Sequence, residues 1–243
     1  MKLLIDIGNT RLKWALARDG RFVDHGAVVH GGEPARVIAQ LPAAAFDAVW
    51  VSHVTGAAHE TALIDATRSR YGQAPRFARS TAEWHGLRNA YREPERLGVD
   101  RWLAMIAAWQ AHRGAAVIAN AGTALTVDVI AADGQHSGGI IAAGLAAQQR
   151  AVLGSTRFDV GAFGADEDAA LGTDSQSCVR QGALLACRGA VEYVEALAPD
   201  DAIRWLTGGD AHVLAAGLHR KWRHEPQLVL DGLLVYAENA GTP

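Results

Sequence analysis

Cysteine is almost absent from this 243-residue sequence. The two present, Cys178 and Cys187, lie nine positions apart in a stretch with helical spacing, too far along a helix axis to bond to each other. They read as reduced core thiols of a cytosolic protein, and neither sits in a C-x-x-C or other zinc-ligand spacing, so no structural metal is expected. Blocks of Lys and Arg are missing too. With a net charge of −3, nothing favours a nucleic-acid partner, and the one short basic stretch, His219 to His224, reads as a solvated helix end. No uncharged, predominantly apolar run is long enough to span a bilayer, and the stretch before Asp128 also contains Asn120, Thr123 and Thr126. The apolar run that opens the chain is broken at Asp6, which argues against a signal peptide. The ten histidines form no H-x-x-x-H pair and no Ser/His/Asp set. His53 and His136 read as structural or solvent-facing.

What is present is an apolar fraction of 49% against 20% charged residues, enough for a well-buried core. The length suits one large domain or two of about 120 residues each. The chain opens with Lys2 to Ile7 as an apolar strand carrying Asp6, turns through Gly8-Asn9-Thr10, and resumes apolar alternation at Leu12, Trp14 and Leu16. Gly8 permits close backbone approach to a bulky ligand. Asn9 and Thr10 supply donors to phosphate oxygens, and Asp6 can hold a magnesium ion through water. Alone, this stretch is equally an ordinary hairpin.

Residues 21–29 add a third strand, 33–41 a short helix, 48–54 a buried strand, and 59–71 a helix stopped by Gly72. The second half begins in the same way. Residues 115–130 read as strand, Gly122-Thr123 turn and strand, and Asp133-Gly134 makes a hairpin turn into the next strand. Gly138-Gly139-Ile140-Ile141 then leads to Gly144 and an Ala/Gln-rich helix. A long helix from Ser175 to Leu197, a strand 202–206, a Thr207-Gly208-Gly209-Asp210 turn and two final helical segments follow. The sequence therefore divides into two similar α/β halves, 1–114 and 115–243, and duplications of this kind place a ligand cleft between the halves. The acidic run Asp166-Glu167-Asp168 reads as an exposed loop, and Trp14, Trp50, Trp102 and Trp109 as core.

The most specific stretch is Leu97-Gly98-Val99-Asp100-Arg101-Trp102. Trp102, Met105, Ile106 and Trp109 recur with helical spacing, so a helix starts near Asp100 and its positive dipole end stabilises an ionised carboxylate there. Arg101 projects elsewhere, with a guanidinium able to grip a carboxylate through two bonds. An ionised Asp beside an ATP γ-phosphate can take a proton from an attacking hydroxyl. Taken alone, Asp100 is a helix cap and Arg101 a surface ion-pair partner.

In order along nearly the whole chain, Asp6-x-Gly8-Asn9-Thr10, Leu97-Gly98-x-Asp100-Arg101-Trp102, Gly122-Thr123-Ala124-x-Thr126-x-Asp128, Gly138-Gly139-x-Ile141 and Thr207-Gly208-Gly209-Asp210 resemble the type III pantothenate kinases, or Baf family. The resemblance implies duplicated ribonuclease H-like lobes of the actin/hexokinase/Hsp70-like ATPase superfamily with a nucleotide between them. It implies a cytoplasmic homodimer that phosphorylates pantothenate with ATP and Mg2+, the first step toward coenzyme A. Asp6, Ile7, Gly8, Asn9, Thr10, Arg11, Leu12, Lys13 and Thr123 would bind ATP. Tyr91, Gly98, Val99, Asp100 and Arg101 would hold pantothenate, with Asp100 as base and Ser175 reaching the partner subunit's site.

Two positions depart from the family pattern. Asn120 stands where the family has an Asp that binds the required potassium or ammonium ion. A neutral amide offers oxygen without charge, so the cation site is weakened, moved or filled differently. The Pro that the family favours before Gly144 is Ala143 here, which relaxes a fixed φ. Rival readings are a non-catalytic regulatory accessory protein of the same family, and a sugar or acetate kinase of the same superfamily.

Overall fold

The computed structural model describes residues 1–54, 56, 59–155 and 171–240, so Asp166-Glu167-Asp168 lies outside the described residues. The contacts divide the chain into two compact units. Unit 1 holds residues 1–85, 91–111 and the stretch from Gln227 onward, and unit 2 holds 86–90 and 112–226.

Unit 1 opens with β1 (Lys2–Ile7), β2 (Arg11–Arg18) and β3 (Arg21–Val29), then α1 (Pro34–Val37), β4 (Ala48–His53), α2 (Glu60–Tyr71) and β5 (Arg76–Phe77). Short strands β6 (Glu83–Trp84) and β7 (Leu87–Arg88) precede α3 (Val99–Ala111). The sheet order is β3-β2-β1-β4-β5, with β1, β2 and β3 antiparallel and β4 and β5 added in parallel. Central β1 is covered on both faces, which is why its sequence is an apolar run rather than an alternation. Leu3, Ile5 and Ile7 join Val37, Ile38, Leu41 and Leu63 in one core cluster, on the α1/α2 side. Leu4 and Asp6 therefore point to the other face, because side chains alternate along a strand.

Unit 2 repeats the arrangement with β8 (Ala116–Ala121), β9 (Ala124–Ile130), β10 (His136–Ala143), α4 (Leu145–Ser155), α5 (Ser175–Glu195), β11 (Ile203–Thr207), α6 (Ala211–Ala215) and β12 (Arg223–His224). Its sheet order, β10-β9-β8-β11-β12, matches unit 1 strand for strand, with the same antiparallel and parallel pairings. The core packs Val117, Ala119, Val127 and Leu206 against Leu184, Cys187 and Val191 of α5. Asp174 and Ser177 form a reciprocal capping box at the start of α5.

Several expectations need correction. A single cut after residue 114 misassigns the last helix, α7 (Leu228–Asn239), which returns to unit 1 and packs along α3. Gly232 makes this possible, since a Cβ there would run into the Leu103 carbonyl oxygen. Cys178 is exposed and only Cys187 is a core thiol, because the exposed side of α5 passes through position 178. Burial pushes the Cys187 thiol up to about 11, with the Asp210 charge adding to the effect. Trp14 is half-buried at the edge of its cluster. The basic stretch before Glu225 is no helix end. Arg223–His224 pair in parallel with β11, while Arg220 bonds to Glu195 and Asp200. His136 is fully buried on Asp128, with 2.9 Å between Nε2 and the carboxylate, and so is structural rather than solvent-facing. His53 is buried against Glu60 at 3.0 Å.

The close approach of α3 and α7 can be tested. Gly232→Ala is expected to lower unfolding stability by about 2–3 kcal/mol through overpacking, read as a shift of the urea midpoint. Gly189, with open space around its Cβ position, serves as the control and should tolerate Ala.

Candidate active site

β1 and β4 run parallel with Asp6 opposite Ser52. Strand parity puts both side chains on the same face as Trp50, whose ring meets Tyr236 of α7 edge-on at 5.8 Å. Asp6 is thus a carboxylate on the α3/α7 side of the sheet, only 8% exposed. Fully buried Ser52 donates its hydroxyl to Asp6 Oδ1 at 3.0 Å. Burial, reinforced by the nearby charge of Asp100, pushes the Asp6 carboxyl up to about 7, against the opposing effects of the Ser52 bond and the Lys13 ammonium.

Asp100 comes from the first turn of α3. The Gly98 carbonyl accepts the first helical bond, from Trp102 N–H at 3.0 Å. A Cβ on Gly98 would lie 2.7 Å from Asp100 Oδ1, so glycine leaves room for the carboxylate to lie over the helix start. Asp100 Oδ1 also accepts from the Arg101 N–H at 2.8 Å. The residues before the helix are held by Ser80, whose hydroxyl donates to the Leu97 carbonyl at 2.8 Å.

Arg101 is buried, at 4% exposure. Its guanidinium donates to the Tyr91 hydroxyl at 2.9 Å and sits 5.8 Å from the centre of the Tyr91 ring. The structure therefore brings Tyr91 and Arg101 together, with the arginine in the interior rather than on a surface ion pair. Helix α3 is buried from Arg101 to Trp109, which leaves the guanidinium little freedom.

The Gly8-Asn9-Thr10 turn follows directly from Asp6. Gly8 N–H donates to the Arg11 carbonyl at 3.1 Å, and Asn9, Thr10 and Arg11 are exposed. Ile7 and Leu12 are wholly buried in the opposite-face core, so they offer a ligand only their backbones. Lys13 is half-buried on β2, in register with Asp6.

In unit 2 the Gly122-Thr123 turn joins β8 to β9, and Gly122 N–H donates to the Ala124 carbonyl at 3.0 Å. Gly144 N–H donates to the Thr123 carbonyl at 3.2 Å, and Asp210 N–H to the Ala121 carbonyl at 3.0 Å. Side chains at Gly144 or Gly208 would strike the Gly122 or Ala121 carbonyl oxygens. Three glycine turns, far apart in sequence, are thus packed backbone to backbone. Thr123 is exposed, and Asn120, at the end of β8, is half-buried. Ser175 is the first residue of α5, beside a cavity of ≈ 690 Å³ lined by Val152, Cys178, Val179 and Ala183 among others.

The sequence reading missed Ser52. Its signal was a hydroxyl in an otherwise apolar central strand, but only the parallel register shows that it meets Asp6.

A divalent cation fits this chemistry. Asp6 is desolvated and repelled by Asp100, and positive charge would relieve both effects. Magnesium is typically held by one or two carboxylates plus phosphate oxygens and water. Without nucleotide or metal, the raised Asp6 carboxyl costs stability as it ionises. Its contribution is intact below about 4 and is lost as pH rises through about 7. Asp6→Asn is therefore expected to match the parent below about pH 4 and to exceed it at pH 8 by on the order of 4 kcal/mol, measured by urea unfolding in EDTA. Equal stability at pH 8 would remove the electrostatic strain assigned to Asp6.

A family model described as type III pantothenate kinase matches residues 2–196. The protein of that name from Methylobacillus flagellatus is 38% identical over 247 residues, covering 95% of each chain. Its namesake from Nitrosococcus oceani is 35% identical over 254 residues, covering 98% of this chain and 94% of that one. Among solved structures, a Baf family protein from Campylobacter jejuni aligns with a TM-score of 0.62 at 18% identity, covering 98% of this chain and 99% of that one. The activator of 2-hydroxyisocaproyl-CoA dehydratase from Clostridium difficile, solved with bound ADPNP, aligns at 0.55 and 12% identity, covering 98% and 94%. The fold is that of the actin-like ATPases and sugar kinases, two related α/β lobes, as the motif order implied. By sequence, the chain belongs to the type III pantothenate kinase family.

Proposed function

We propose that this protein transfers the γ-phosphoryl group of ATP to the primary hydroxyl of pantothenate, giving 4'-phosphopantothenate and ADP. The observation that carries the reading is the meeting, within unit 1, of the Asp6 phosphate-loop strand and the Asp100 helix start, close enough for the Asp100 charge to act on Asp6.

The Gly8-Asn9-Thr10 turn and Lys13 hold the triphosphate, and the family resemblance assigns Thr123 to the same nucleotide. Asp6 holds Mg2+, which when bound neutralises phosphate charge. Arg101 and Tyr91 receive the pantothenate carboxylate and hydroxyls, with Gly98 and Val99 forming the adjoining backbone. Asp100 accepts the proton as the hydroxyl oxygen attacks phosphorus in line and the bond to the ADP oxygen breaks. A buried guanidinium already bonded to Tyr91 loses little freedom on gripping substrate, so catalysis rests on positioning and charge.

Three finer features belong to the same proposal. The enzyme is a homodimer, which the exposed Leu185, Tyr193 and Leu197 of the α5 region favour, and Ser175 serves the partner's pantothenate. It works in the cytoplasm, where ATP and pantothenate meet. It responds weakly to potassium or ammonium, because Asn120 brings no charge to the cation position.

The test is ADP release with ATP, Mg2+ and pantothenate, with and without potassium or ammonium. Pantothenate-dependent turnover is expected, and its absence in every salt from folded protein would sink the reading. Asp100→Asn should lower turnover by about 10²–10⁴-fold with nucleotide affinity nearly unchanged; near-parent turnover would remove Asp100 as base. Asn120→Asp should increase the potassium response, and an unchanged response would move the cation site elsewhere.

A further inference from the structure

His30 follows the end of β3 and is only 6% exposed. The Gly32 N–H donates to its Nδ1 at 3.1 Å. That nitrogen is therefore an acceptor, and in the neutral ring the proton sits on Nε2. Nε2 lies 2.9 Å from the Gly8 carbonyl oxygen and donates to it. The His30 backbone N–H donates to the Thr10 carbonyl at 3.3 Å. One residue thus holds the carbonyls on either side of Asn9, and Gly32 fixes the tautomer that lets it do so.

We propose that His30 is a positioning residue for the phosphate-binding turn, keeping the Gly8 and Thr10 carbonyl dipoles turned away from the triphosphate so that the turn presents its donors to it. A carbonyl rotated toward the phosphates would repel them, whereas amide and hydroxyl donors form an anion-binding concavity. The side chain reaches Gly8 across the turn. The lone histidine gave no sequence signal, since its partners are backbone atoms 22 and 2 positions away. This inference rests on reading Gly8 to Thr10 as the ATP phosphate loop.

The experiment compares the full-length parent with His30→Ala, His30→Gln and His30→Asn. Readouts are calorimetric binding of Mg·ADP, the KM values for ATP and pantothenate, and amide hydrogen exchange of the segment spanning Gly8 to Arg11. Gln places an N–H donor near the position of Nε2, whereas Asn falls short. His30→Ala is expected to speed exchange in that segment and to weaken Mg·ADP binding about 10-fold or more. The pantothenate KM should stay within about twofold, and His30→Gln should recover nucleotide affinity to within about threefold of the parent. A merely structural histidine would move both KM values together or neither. Unchanged exchange and nucleotide affinity in His30→Ala overturn the clamp while leaving the kinase reading intact. If His30→Ala does not fold, equal Mg·ADP affinity of the Gln and Asn variants overturns it. Failure of the parent itself to bind nucleotide overturns the kinase reading and the clamp with it.

Discussion

Asp6 is a carboxylate set into the centre of a sheet, and the arrangement of unit 1 follows from what that requires. A buried carboxylate needs a hydrogen-bond donor, a path to compensating charge and a rigid surround, or it stays protonated. The parallel register supplies the Ser52 hydroxyl at 3.0 Å. Register with β2 brings Lys13 opposite. The rigid surround is α3, buried from Arg101 to Trp109 and backed by α7 through the close contact at Gly232. The start of that same helix carries Asp100, which worsens the electrostatics of Asp6 rather than relieving them. Two carboxylates held together in low dielectric make sense when a polyanion arrives with its own divalent cation.

Unit 2 repeats the sheet order but meets the demand differently. At its glycine turns it uses close backbone packing, with Gly144 and Gly208 fitted against the carbonyls of residues 121–123. On the β9–β10 hairpin the buried Asp128 and His136 pair at 2.9 Å, and the Ala90 N–H donates to the other ring nitrogen of His136. The buried Arg204 and Glu195, 2.7 Å apart, tie β11 to the end of α5. The duplicated framework thus carries an unsatisfied electrostatic feature in one unit and a satisfied, shape-based one in the other.

Much of this was legible in the sequence because it lies in local patterns. The apolar run to Asp6, the i, i+3, i+4, i+7 spacing after Asp100 and the repeated glycine turns each report a strand, a buried helix face or a backbone approach, and all three occur where expected. The rest depends on pairings that no local pattern encodes. The meeting of Ser52 with Asp6 needs the parallel register, and α7 joins unit 1 only because Gly232 can sit on the Leu103 carbonyl. Spacing alone left Arg101 open between a carboxylate grip and a surface ion pair until the buried course of α3 placed it inside, and Cys178 looked like a core thiol until α5 turned it outward. Length and composition say nothing of which face of a helix is covered.

The strain on Asp6 bears on ligand preference. With its carboxyl raised to about 7, a proton competes with any cation for the site near neutral pH, and a weakly held metal alone gains little there. A metal bound jointly by nucleotide phosphates gains further ligands, so it is held more tightly than a free ion. With Asp6 as the proposed metal ligand, the site would thus favour taking nucleotide and metal together. A solvent-exposed aspartate would not be raised in this way, so under the role proposed for Asp6 its burial, although it costs folding stability, would tie metal binding to the nucleotide that brings the metal.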